Sequence, residues 1–126
     1  MQSLFAVGAG GFIGACLRFG LARWAERLWG GQFPVGTLLV NTLGCLALGV
    51  LMALVESSEA FSDQTRMFLA VGVLGAFTTF STFGYETLRL MRDGQAGIAL
   101  ASVAANVLLG LGAVWVGWVA TRMLPP

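Results

Sequence analysis

Residues 72–83 read Gly72-Val73-Leu74-Gly75-Ala76-Phe77-Thr78-Thr79-Phe80-Ser81-Thr82-Phe83, and Gly84-Tyr85-Glu86 follows. They lie in a run without a charged residue from Met67 to Tyr85. A run of that length crosses a bilayer, whose hydrocarbon core takes about 20 apolar residues in a helix. Its composition is wrong for a simple anchor. Gly72 and Gly75 are poor helix formers, and four hydroxyl residues, Thr78, Thr79, Ser81 and Thr82, follow almost at once. Phe77, Phe80 and Phe83 recur at i, i+3 and i+6, so one face of a helix is aromatic while another carries hydroxyls. Interruption is expected between Gly75 and Thr79. At membrane depth such a break is tolerated only where it is buried in protein or lines a water-filled cavity.

Outward from this segment the chain repeats the same theme. Of its 126 residues 57% are hydrophobic and 10% charged, against about 25% charged in soluble domains. The basic residues are all arginines, and there is no lysine or histidine. Charges collect at Arg18 to Arg27, Glu56 to Arg66, Glu86 to Asp93 and Arg122, and the apolar runs between them define four spans: about 3–21, 37–55, 67–88 and 97–120. The fold class is therefore an all-α membrane protein, one domain over residues 1–126. The net charge of +1 says nothing about nucleic acid, there is no basic tail, and nucleic acid is not expected as a partner. The first apolar run lacks the basic flank of a signal peptide and should remain in the mature chain.

In the first span, Gly10 and Gly14 form a small-xxx-small pair that lets another helix approach closely. Arg18, near its end, either snorkels to the headgroups or sets a cation at the mouth of an anion path. Arg23, Trp24, Glu26, Arg27 and Trp29 read as an interfacial segment with aromatic anchors, and Gly30-Gly31-Gln32-Phe33-Pro34 turns the chain. Asn41 lies inside the second span. An uncompensated amide in hydrocarbon costs several kcal/mol, so it is either interhelical hydrogen-bond glue or a donor facing a hydrated path. A short polar loop with Glu56, Glu59, Asp63 and Arg66 precedes the third span. In the fourth, Ser102 and Asn106 are four apart and share a face. Cys16 and Cys45 sit among small apolar residues and read as free thiols used for packing. Arg23, Arg27, Arg89 and Arg92 on one side against Arg66 and Arg122 on the other give a weak positive-inside bias, and mixed orientation is plausible.

Enzyme chemistry finds no support. There is no HExxH, GxSxG or P-loop motif, no histidine to pair with a cysteine, and no pair of carboxylates inside a span for acid–base work. Glu86 stands at a span's edge. The interior is instead rich in donors, namely Asn41, Asn106, Thr37, Thr42, Ser81, Thr82 and Ser102. It also carries phenylalanine edges, the positive end of the ring quadrupole. Donors and ring edges without a carboxylate suit a small, strongly hydrated anion. Four helices can hardly surround a path alone, so an oligomer is implied, with glycines supplying its close contacts.

Over essentially its whole length the chain resembles the fluoride channel proteins of bacteria, the Fluc/CrcB family. Three motifs carry the resemblance: Gly10-Gly11-Phe12-Ile13-Gly14-Ala15 with Arg18; Gly36-Thr37-Leu38-Leu39-Val40-Asn41-Thr42-Leu43-Gly44; and Gly72 to Phe83. The resemblance implies an antiparallel, dual-topology homodimer in the inner membrane, multi-pass, with two fluoride pores lined by both subunits. It implies that Asn41 donates to fluoride, that Phe80 and Phe83 present ring edges to it, and that Ser81 and Thr82 lie along or beside the path. Thr37 and Asn106 complete the expected pore lining, and Arg18 belongs to the aqueous vestibule. The backbone carbonyls of Gly75 and Thr78 from both subunits are implied to hold a central structural Na+. Two departures from the family pattern stand out. Gly75-Ala76 replaces a frequent Gly-Gly, and the fourth-span hydroxyl track reads Ser102, Asn106, Gly110. The expected function is passive, fluoride-selective conduction out of the cytoplasm, conferring fluoride resistance. The rival is a small dual-topology multidrug or cation exporter, which would need a glutamate in the first span, and Met1 to Leu21 has none.

Overall fold

The computed structural model describes residues 1–58 and 61–124; Glu59 of the polar loop and the terminal Pro125 and Pro126 lie outside the described residues. Among the described residues all regular structure is helical: α1 (Gln2–Trp29), α2 (Val35–Ser57), the short α3 (Asp63–Arg66), a π-helical segment Met67–Leu74, α4 (Gly75–Phe77), α5 (Phe80–Arg92) and α6 (Ala96–Arg122). Four stretches are long and apolar enough to cross a membrane: Gln2–Trp29, Val35–Ser57, Asp63–Arg92 and Ala96–Arg122.

The helices outrun the apolar spans. α1 continues through Arg23, Trp24, Glu26 and Arg27 to Trp29, because Ala, Arg, Glu and Leu between residues 21 and 28 are good helix formers. The chain leaves the helix at Gly30, whose backbone is extended, and α2 begins directly after Pro34. The interfacial segment expected after the first span is thus the last two turns of the same helix. Trp24 and Trp29 meet edge to face there, with centroids 5.5 Å apart.

Packing is organised by glycine. In a bilayer, apolar side chains gain nothing by leaving lipid for one another, so close backbone approach must supply the contact energy. α2 lies along α6, where a Cβ at Gly49 would run into the Val114 carbonyl and one at Gly117 into the Leu46 carbonyl. α1 lies along the π-helical segment: a Cβ at Gly10 would meet the Phe68 carbonyl, and one at Gly14 the Val73 carbonyl. The small-xxx-small pair of the first span therefore serves the chain's own third span. Gly8, Gly11, Gly20, Gly84, Gly97 and Gly112 are among the glycines with no atom within 4 Å of such a Cβ, so their faces are open in this chain. The buried apolar core is correspondingly slight (Ala25, Val40, Leu51, Ala53, Leu90 and Ala99), while Phe12, Leu100, Leu108 and Leu111 are mostly exposed. Both cysteines are free.

The third span carries two irregularities. Gly75 closes the π-helical segment by donating its N–H to the Ala70 carbonyl, five residues back, the wide turn that often marks functional sites. Residues 75–77 stay helical, with Gly75 at φ −62 and ψ −36. Thr78 (φ −86, ψ 159) and Thr79 (φ −148, ψ 114) are extended before α5 begins. The non-helical backbone is thus narrower than the Gly75-to-Thr79 interval marked by the sequence, since glycine permits a break without requiring one. At the other end of the bundle Trp118 donates Nε1–H to Glu56 Oε2 at 3.0 Å. Arg122 lies 3.8 Å from the same oxygen and 4.4 Å above the Trp118 ring, tying α6 to α2.

Candidate functional site

An extended residue turns its own N–H and C=O to the same side, and in a sheet a neighbouring strand would take both. For Thr79, which is buried (7% exposed), that partner is the Asn41 carboxamide. Thr79 donates its N–H to Asn41 Oδ1 at 2.8 Å, and its carbonyl accepts from Asn41 Nδ2 at 3.2 Å. The Asn41 amide thus substitutes for a strand at the one place in the third span where the helical pattern fails. Asn41 Nδ2 donates also to Asn106 Oδ1 at 3.0 Å, and Asn106 Nδ2 donates to the Ser102 carbonyl at 2.9 Å. Ser102 and Asn106 do share a face, and the link between them runs to the serine backbone. The Ser102 hydroxyl is buried without a partner among the described residues.

The Thr79 side chain restarts the helix. Its Oγ1 accepts from the Thr82 N–H at 3.2 Å and donates to Thr82 Oγ1 at 3.0 Å, an N-cap that satisfies one of the orphan donors of α5. The sequence shows Thr79 as one of four hydroxyls and the end of the expected break, without assigning it a role in the site. The signal that could have found it is a hydroxyl placed three residues before Thr82 at the point where a second helix must begin.

These bonds strip two carbonyls of their usual partners. In a continuous helix the Gly75 carbonyl would accept from the Thr79 N–H and the Thr78 carbonyl from the Thr82 N–H. The first donor is on Asn41 and the second on Thr79 Oγ1. Both residues line the same groove. Among the described residues no cluster of three or more His, Cys, Asp or Glu could hold a metal. A cation bound here would therefore rest on neutral backbone oxygens, a donor set that suits a hard ion such as Na+.

The groove, of about 450 Å3, opens on one face of the helical bundle and brings together Asn41, Asn106, Phe80, Phe83, Gly75 and Thr78. No acidic or basic side chain lines it. Its walls are apolar, from Leu48, Leu74, Val107 and Leu111 among others, so the amides are polar groups in a low-dielectric setting where each hydrogen bond counts for more. Phe80 is 83% exposed and stands 5.6 Å, centroid to centroid, from Phe83 at an interplanar angle of 54°. Phe77 instead packs inward against the position of Gly44.

The remaining expected site residues lie elsewhere. Ser81 and Thr82 are exposed on α5 outside the groove lining. Thr37 is buried beside the Glu86 carboxylate, whose Oε2 is buried without a partner among the described residues. Glu86 lines a second, polar crevice of about 480 Å3 with Glu26, Gln32 and Arg89, at the turn joining α1 to α2. Arg18 is half-buried on α1 and lines neither space.

The family model described as CrcB-like protein, Camphor Resistance (CrcB), matches residues 5–118. The chain is 47% identical over 117 residues to a protein of Methanosarcina barkeri named fluoride-specific ion channel FluC 3, covering 93% of this chain and 88% of that one. It is 45% identical over 117 residues to the fluoride-specific ion channel FluC of Dehalococcoides mccartyi, covering 93% and 90%. To the protein of the same name from Hydrogenovibrio crunogenus it is 44% identical over 124 residues, covering 98% and 94%. With four membrane-capable helices and a family match over nearly the whole chain, this multi-pass membrane protein belongs to the CrcB family.

Proposed function

We propose that this chain is a passive, fluoride-selective channel of the inner membrane, working as an antiparallel homodimer with two pores. The observation that carries the reading is the groove: two amides and two phenylalanine rings converge in an apolar cleft that no carboxylate enters. Curated relatives at 44–47% identity bear the name fluoride-specific ion channel, and the chemistry of the groove agrees with that name. Fluoride is small and holds its water tightly. A narrow path must replace that water with donors, here N–H groups of the Asn41–Asn106 pair and ring edges of Phe80 and Phe83. A larger anion fits such a path badly.

One subunit leaves the groove open on its face, and a second copy in the opposite orientation closes it. The third span breaks at membrane depth, where its extended backbone faces protein and a hydrated path and avoids lipid. Gly75 and Thr78 from each subunit hold the central Na+, which supplies a fixed positive charge and a cross-link between subunits. Fluoride then leaves the cytoplasm down its electrochemical gradient. The weak acid HF enters an acidified cell, dissociates and accumulates as the anion, and the channel relieves that accumulation. A cation exporter would require a carboxylate along the path, and Glu26 and Glu86 lie in the polar crevice, not in the groove.

The test is fluoride efflux from proteoliposomes containing the purified protein, followed with a fluoride electrode. A potassium ionophore clamps the voltage, and parallel vesicles hold chloride. Fast fluoride efflux that depends on the ionophore, with little chloride efflux, is the expected result. Folded protein that releases no fluoride overturns the proposal.

A further inference from the structure

We propose that the outward ridge of α1 is a docking site for an anionic phospholipid, with the phosphate on Arg23 and Arg27 and an acyl chain along Phe19 and Phe12. The proposal stands apart from the fluoride-channel reading, and its failure would leave that reading untouched. At about 100° per residue, Phe5, Phe12, Phe19, Arg23 and Arg27 fall within about 80° of one another around α1. They lie on the side opposite the buried Gly10, Gly14 and Ala25. The three rings are mostly exposed, and both arginines are exposed. The ridge thus faces away from the bundle.

Charge selects the occupant. Arg122 has a carboxylate partner in Glu56, whereas among the described residues neither Arg23 nor Arg27 forms an ion pair. Glu26, their neighbour in sequence, lines the polar crevice with Glu86. The Arg23 guanidinium lies 5.6 Å from the centre of the Phe19 ring, a contact that steadies the side chain and spends none of its N–H donors. Arg27 follows one turn later on the same side. Two forked guanidiniums side by side match phosphate, which accepts paired N–H bonds from each. Their uncompensated charge favours a lipid of net negative charge over a zwitterion, whose own ammonium cancels the phosphate.

Length selects a lipid over a soluble anion. Phe12 lies about 16 Å along the helix axis from Arg23, close to the depth of about 15 Å that one leaflet's hydrocarbon occupies. With the arginines at headgroup level, the rings of Phe19 and Phe12 therefore reach down one leaflet. Trp24 and Trp29, edge to face at 5.5 Å, are the residue type that anchors at that same level. Gly20 has no atom within 4 Å of a Cβ built on it, which leaves a notch beside the ridge where the chain can lie. A free phosphate or an acidic peptide would use the arginines and leave the rings idle.

The first test counts bound lipid by native mass spectrometry, with the purified protein in neutral detergent micelles and equal amounts of phosphatidylglycerol and phosphatidylcholine. One arginine at an anionic surface strengthens binding about fivefold. Arg23→Gln combined with Arg27→Gln should therefore weaken phosphatidylglycerol binding about 25-fold and change phosphatidylcholine binding little. Arg92→Gln, exposed at the same end of the bundle on α5, should change neither. Equal binding of the two lipids by the parent, or as great a loss in Arg92→Gln as in the double variant, overturns the proposal. A second measurement uses the unaltered sequence in phosphatidylcholine vesicles. Phosphatidylglycerol carrying a photoactivatable diazirine at mid-chain should label α1 between Phe12 and Phe19. Labelling confined to the other spans, as when a second copy covers this face, also overturns it.

Discussion

Replacing Asn41 with leucine, which is close to it in size, tests how the third span holds its extended residues. The substitution removes three hydrogen bonds: the Thr79 N–H to Oδ1 at 2.8 Å, the Thr79 carbonyl to Nδ2 at 3.2 Å, and Asn106 Oδ1 to Nδ2 at 3.0 Å. Asn106 can rotate toward the open groove, so its oxygen is left out of the sum. Thr79 cannot move away, since its backbone is buried and its hydroxyl caps α5. Two buried backbone groups without partners cost about 1–3 kcal/mol each. Against this, a leucine half-buried in the groove recovers about 1 kcal/mol of apolar burial. The net loss is then about 1–5 kcal/mol, centred near 3 kcal/mol. Typical side-chain bonds between membrane helices average only about 0.6 kcal/mol, because the unfolded chain in the membrane finds other partners. A backbone N–H and C=O fixed in an extended residue have no such choice. The assay is reversible unfolding in mixed micelles with increasing dodecyl sulfate, at constant protein concentration because the stability of the proposed dimer would depend on it, followed by tryptophan fluorescence. A variant within about 0.5 kcal/mol of the parent would show that Thr79 has another partner and that Asn41 does not splice the span.

Phe80→Ile should abolish fluoride efflux from protein that still folds, because the ring packs little against its own chain (83% exposed); efflux at the parental rate would remove Phe80 from the path. Gly49→Ala and Gly117→Ala each drive a Cβ into a carbonyl of the facing helix and should cost about 2 kcal/mol or more by the same unfolding assay. Gly11→Ala and Gly112→Ala, open within the subunit, should instead be neutral or stabilising by up to about 1 kcal/mol, and a large loss at either would place that face against another copy. Purification in a sodium-free buffer of a larger organic cation should lower the unfolding midpoint, with recovery on adding Na+; an unchanged midpoint would argue against a cation on the Gly75 and Thr78 carbonyls.

The four spans were legible because hydrocarbon punishes charge, so arginine and acid clusters mark where each helix leaves the membrane. Their ends were less legible. Residues such as Ala25, Glu26 and Arg27 are as helical in water as a leucine run is in lipid, and α1 ends only at Gly30. Glycine spacing revealed faces built for close approach without revealing what approaches. Gly10 and Gly14 meet the chain's own Phe68 and Val73, where sequence reasoning had turned the glycines as a class toward an oligomer. Gly75 and the hydroxyls mark an interval for irregular backbone that is wider than the two extended residues. Its position at Thr78 and Thr79 depends on Asn41, 38 residues away in sequence from its partner, and no local pattern encodes that pairing.

For an asparagine in hydrocarbon, glue and function look like alternatives. In this fold they are one interaction. Splicing Thr79 requires an acceptor for its N–H and a donor for its carbonyl on a single planar group. A carboxylate offers only acceptors when ionised and would bring a negative charge to the groove; a hydroxyl has a single proton and no planar second arm; a primary amide offers both in the geometry of a neighbouring strand. By taking the Thr79 N–H, Asn41 Oδ1 also denies the Gly75 carbonyl its usual i+4 donor, which leaves that oxygen free for the proposed cation. By turning Nδ2 toward Asn106, the same amide fixes which way the second asparagine points. The uncharged donors of the proposed anion path and the open carbonyl of the proposed Na+ site therefore follow from how one side chain repairs one extended residue.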